Sequence, residues 1–185
     1  MGFRRGFQSE AERISCEVRE KVGLSPTDSI DLSAVCNEFE INILRMTELS
    51  CDSSAFQTTQ NSKFSAMMAH IGIQSAIIHN DTHHEHRQRS NICHELAHCF
   101  LGHEACTLMD EDGSRSHNGE IEAEANFLGG ALLLPKAAAI HVLKNGLKSQ
   151  ARSIYGISGQ MLTYRLRVSG AQIIFDRSMA KKVVA

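Results

Sequence analysis

The sequence predicts an α+β protein, with a small antiparallel sheet packed on helices and a helical part at the C-terminus. Three observations predict it. Apolar residues recur at helical spacing in long segments, short alternating segments lie between them, and glycine or proline punctuates the junctions. The chain has 185 residues, 42% of them hydrophobic and 22% charged, which suits a folded core rather than a fibre or a disordered coil. Pro135 divides it into a core over residues 1–135 and a C-terminal extension over 136–185 packed on the same domain.

Ser9 to Val22 carries Ala11, Ile14, Val18 and Val22 at helical spacing, with Gly23 as the stop. Leu24 to Asp28 reads as a turn. Asp28 or Asp31 then caps a second helix through Leu32, Val35 and Phe39. Ile41 to Leu44 alternates as a half-buried strand, and residues 47 to 63 read as a loop with some strand. Met67 to Ile71 and Gln74 to His79 form a hairpin about Gly72, and the second of these is a candidate edge strand for holding an extended peptide. Thr82 and Glu85 have capping-box spacing and open a helix to about Leu101, with Ile92, Leu96 and Phe100 inward and Gly102 as the stop. His83, His84 and His86 fall in its first turns as solvated residues. Glu104 to Asn118 is a loop. Gly119 to Leu134 is helical, with Ile121, Ala125, Leu128 and Leu132 inward, and Pro135 ends it. Short helices follow, and Ala171 to Phe175 reads as a strand.

The net charge is −2, so no global field draws the chain onto nucleic acid or an anionic membrane. No apolar run reaches the length of a membrane helix, and the start does not read as a secretory signal. The six cysteines then read as reduced thiols, and the expected location is cytoplasmic.

The chemistry concentrates in His94-Glu95-Leu96-Ala97-His98. Histidines four apart on a helix project from one face, the geometry for two of three protein ligands on a catalytic zinc. Glu95, beside the first ligand, is placed to take a proton from a water activated by the metal and pass it to a leaving amine. Cys93 and Cys99 do not share the histidine face and read as apolar filler. The metzincin pattern would need glycine at 101 and histidine at 104, where this chain has Leu101 and Glu104. A carboxylate from a second helix is the alternative. Among Glu120, Glu122 and Glu124, Glu122 flanks the inward stripe, whereas Glu124 falls near the solvated side and Glu120 at the fraying start. Asn126, one turn after Glu122, is a candidate to hydrogen-bond a ligand histidine. His103 becomes a substrate or oxyanion contact if the chain turns at Gly102.

His94 to His103, the preceding Arg87-Gln88-Arg89, and Glu122-x-x-Ala125-Asn126 running to Leu132-Leu133-Leu134-Pro135 resemble the ImmA/IrrE family of metallopeptidases. The likeness spans roughly residues 9 to 166. It implies a zincin-like active-site helix, zinc on His94, His98 and Glu122, and Glu95 as general base. It also implies intracellular proteolysis of a protein substrate, in several members a helix-turn-helix transcriptional repressor. Ser90 and Leu128-Gly129-Gly130 depart from the family's usual aromatic and Phe-Ala pair, which touches the cleft wall more than the metal.

The other reading is a non-catalytic regulator that binds a repressor or DNA with the same fold. Ala151 to Ser158, followed by Leu162 and Leu166, resembles a helix-turn-helix with Gly156 at its turn, and Arg165 and Arg167 would contact phosphate. Arg152, where such motifs usually need alanine, and the moderate local charge count against direct DNA binding.

Overall fold

A computed structural model describes residues 3–49, 64–72, 74–103 and 119–184. Its helices are α1 (Phe7–Lys21), α2 (Leu32–Glu38), α3 (Glu85–Phe100), α4 (Gly119–Leu133), α5 (Lys136–Lys144), α6 (Ala151–Tyr155), α7 (Gly159–Val168) and α8 (Ala171–Val184). The strands are β1 (Ile41–Arg45), β2 (Ala66–Ile71) and β3 (Gln74–His79). The fold class is α+β, as expected. The loop expected over 104–118 and most of the one over 47–63 lie outside the described residues, and Met46–Glu48 forms a short 3₁₀ turn.

The sheet has the order β1-β3-β2 and is mixed rather than wholly antiparallel. β2 and β3 form the expected hairpin, closed at Gly72 with φ +64°, a conformation that glycine adopts without strain. β1 joins the other side of β3 in parallel, Ile41 opposite Ser75 and Arg45 opposite His79. Gln74–His79 is therefore the central strand and not an edge. Buried neighbours Ala76 and Ile77 show why: covered on both faces, the strand does not alternate. β2 is the edge that borders α3.

Side-chain caps open α2, α3 and α7. Asp31 accepts from the backbone N–H groups of Ser33 and Ala34 and opens α2. The capping box at Thr82 does not form, because Asn80 Oδ1 takes both the N–H and the hydroxyl of Thr82. His84 caps α3 instead, accepting from His86 N–H. His83, expected in solvent, is buried beside Asn80.

One apolar core joins α1, the sheet, α3, α4 and the C-terminal helices. α3 and α4 share the most extensive interface between helices in the described residues, and α1 packs on α4 from another side. Cys93 fills the core as expected, and burial pushes its thiol up to about 12. Ala171 to Phe175 is the start of α8 rather than a strand, since Gly170 ends α7 and lets the chain turn back onto α5.

Arg165 does not reach a phosphate. It is fully buried, with Nη2 on Glu12 Oε1 at 2.5 Å, Nε donating to Leu134 O at 2.9 Å, and the guanidinium 5.0 Å from the Phe127 ring. It ties α7 to α1 and to the end of α4. Arg167 is exposed. Among the described residues no single helix is long and apolar enough to cross a membrane.

Candidate metal centre

His94 and His98 stand one turn apart on α3, whose opposite face buries Ile92, Cys93, Leu96 and Ala97 in the core. Burial of that face fixes the helix rotation, so the two imidazoles meet above it, their Nε2 atoms 3.1 Å apart. α4 brings the third group. Glu122 places Oε2 3.3 Å from His94 Nε2 and Oε1 3.5 Å from His98 Nε2. One donor atom from each of the three lies within 4.8 Å of the others, the one such trio among the described residues.

The approach of α4 depends on Gly129. A Cβ there would stand 3.1 Å from Cys93 O and 3.2 Å from His94 N, both backbone atoms of α3. Gly130, the next residue, faces Arg165, Met161 and Tyr164 of α7. The paired glycines that looked like a change in the cleft wall are close-packing positions against two different helices.

Three groups that offer lone pairs converge here, two imidazole nitrogens and a carboxylate. A proton or a cation between them relieves their mutual repulsion, and two histidines with one glutamate are a donor set that zinc accepts. The side chains are 25%, 20% and 31% exposed, so the cluster is open to solvent on one side. The residues present fit a divalent metal.

Glu95 does not join this trio. Its Oε2 accepts from the backbone N–H of Met68, on the outer edge of β2, at 3.0 Å. The candidate base thus sits between α3 and the sheet edge. β2, not Gln74–His79, provides that edge.

His103 lies behind the two histidines. The chain leaves the helix at Gly102, φ +65°, and His103 N–H returns to His98 O at 3.0 Å. Its Nδ1 then stands 3.1 Å from His98 Nδ1, and its Nε2 3.9 Å from Glu124 Oε2. Burial holds His103 below the ordinary imidazole value, outweighing Glu124 and Glu122. Asn126, expected to orient a ligand histidine, is exposed, and no hydrogen bond joins it to either one among the described residues.

Glu124 departs from expectation. It is buried, 9% exposed, and its Oε1 accepts from Arg4 Nε at 3.1 Å. Residues 127 to 133 of α4 are buried all round, but Glu120, Ile121 and Asn126 nearer its start are exposed, so Glu124 is covered by His103 and Arg4 rather than by the helix's own inward face. The roles of Arg4, Met68 and Glu124 were not legible from spacing; the acidic run 120–124 and the turn at Gly102 were the available signals.

No curated protein matches the chain. The profile of the IrrE N-terminal-like domain, Peptidase M78, matches residues 36–167. That stretch contains His94, Glu95, His98 and Glu122 and runs through Pro135 into α7. A metallopeptidase family implies a metal, and the one clustered donor set described here lies inside the match. The chain belongs to the IrrE N-terminal-like family of M78 peptidases.

Proposed function

We propose that the protein is a zinc-dependent endopeptidase of gluzincin type that cleaves a protein substrate in the cytoplasm, such as a helix-turn-helix repressor. The convergence of His94, His98 and Glu122 beside Glu95 carries this reading. The three side chains would hold the metal. When bound, zinc supplies Lewis acidity, lowering the pKa of a water ligand to about 7 and polarising a carbonyl.

This chain's own residues do the rest. Glu95 takes a proton from the attacking water and delivers it to the leaving amine, as its place one residue after His94 allows. The Met68 N–H keeps its carboxylate pointed along the sheet edge. An extended substrate would lie along β2, the sheet edge beside α3, and main-chain hydrogen bonds would fix its register.

The test has two parts. Purified protein should contain stoichiometric zinc, and co-expression with candidate repressors should yield fragments identifiable by mass spectrometry. Glu95→Gln should keep the zinc and lose cleavage. Cleavage by that variant at the parental rate would overturn the mechanism. The binding-only reading loses Arg165 as a phosphate contact, so DNA binding would rest on Arg167 and its neighbours.

A further inference from the structure

We infer that His103 and Glu124 form a positioning relay behind the metal ligand His98, fixing its tautomer and strengthening its hold on the metal. The inference rests on the metal reading above. It starts from proton accounting at two ring nitrogens that face each other. His98 turns Nε2 toward Glu122 and His94, so binding a cation there requires Nε2 to be unprotonated. The neutral ring then carries its proton on Nδ1. That N–H points at His103 Nδ1, 3.1 Å away, which must accept. His103 in turn carries its proton on Nε2, and Nε2 faces Glu124 Oε2 at 3.9 Å, an electrostatic contact rather than a full hydrogen bond. Each of these protons faces an acceptor among the described residues. The direction runs from ligand to carboxylate.

The surroundings hold this chain of groups in place. His103 and Glu124 side chains are each 11% exposed. Arg4 Nε donates to the other oxygen of Glu124, and Arg4 Nη2 pairs with Glu10 of α1 at 2.9 Å. Phe3, next to Arg4, packs on Phe7 and Phe127 with ring centroids 5.5 and 5.2 Å apart. The segment before α1 therefore backs the site. His94 has no such support, because its Nδ1 is buried without a hydrogen-bond partner among the described residues. The two ligands are held unequally, and His98 is the oriented one. An acceptor behind a ligand imidazole raises its basicity, and losing such a partner commonly weakens metal binding by about 10–100-fold; here His103 is that acceptor and Glu124 backs it.

Two measurements test this. In zinc-loaded, ¹⁵N-labelled protein, long-range proton–nitrogen spectra should show His98 protonated on Nδ1 and His103 on Nε2. A His103 protonated on Nδ1 overturns the relay, and this readout needs no variant. Competition against a chromogenic chelator should show Glu124→Gln and His103→Phe binding zinc about 10–100-fold more weakly than the parent. Cobalt-substituted samples of both should show an altered ligand-field spectrum, which a role confined to folding would not produce. Folded variants that bind zinc as tightly as the parent, with an unchanged cobalt spectrum, overturn the relay alone. A parent that takes up no zinc overturns the metal reading with it.

Discussion

Replacing Gly129 with alanine tests whether the crossing of α3 and α4 sets the metal site. The added Cβ would lie 3.1 Å from Cys93 O and 3.2 Å from Cys93 C and His94 N, against 3.4–4 Å for ordinary contact. All three atoms are helix backbone and cannot swing aside as a side chain would. The helices must therefore part by a few tenths of an ångström. Overpacking of this kind costs about 1–3 kcal/mol, and alanine recovers about 1 kcal/mol of helix propensity. The net loss is about 1 kcal/mol, or about 2–4 °C in Tm for a chain of this size. Glu122 sits two turns up the same helix, so the parting carries its carboxylate off the histidines. Metal sites tolerate about 0.2 Å in ligand distance, so zinc binding should weaken beyond what the stability loss explains. Urea unfolding of the metal-free protein and chelator competition on the same sample measure the two effects. Gly130→Ala is the comparator: its Cβ would meet Arg165 Cδ at 3.0 Å, so it should cost stability and leave zinc affinity unchanged. If Gly129→Ala unfolds no earlier than the parent and binds zinc equally well, the crossing does not control the site.

Other perturbations follow from the same geometry. Arg165→Met should destabilise by about 3 kcal/mol, because it leaves Glu12 and the Leu134 carbonyl without their buried partner; an unchanged urea midpoint would refute that role. Burial holds His79 and His83 below the ordinary imidazole value of 6.5. Both should stay neutral when folded, so their contribution is complete above about pH 6.5 and is lost as the pH falls toward their folded values. Urea unfolding of metal-free protein should show this acid loss, and a His79→Gln, His83→Gln double variant should lose less over the same range. Gly102 has open space about its Cα but φ +65°, so Gly102→Ala meets backbone strain alone, about 1 kcal/mol, and should swing His103 off His98. Asparagine, which tolerates this conformation, should restore zinc affinity. A Gly102→Ala protein with parental zinc affinity would separate the turn from the site.

What the sequence made legible was local and periodic. His94 and His98 declare themselves because four residues is one helical turn, and a cap at Asp28 or Asp31 because a carboxylate before an apolar helix has one common use; the structure picks Asp31. Sheet order was not legible. A hairpin predicts that β2 and β3 pair, but nothing local says that β1 adds in parallel to the far side of β3. Ala171 to Phe175 is too short an apolar run to distinguish strand from helix, and packing on α5 decides it. Thr82 lost its cap to a competitor two residues away, Asn80.

Glu122 and Glu124 show where periodicity fails and why. Two residues on a helix are turned about 200° apart, so a stripe argument assigns one to the site and the other to solvent. That holds when nothing outside the helix covers the second face, and here Glu124 is covered by His103 and Arg4 although its neighbours Glu120 and Ile121 are exposed. Glu122 meets the imidazoles from the front. Glu124 is met from behind, because the chain reverses at Gly102 and brings His103 between it and His98. The reversal turns a carboxylate that faces away from the cluster into one coupled to it. A single left-handed glycine thus couples the second glutamate, through His103, to a histidine that the first touches directly.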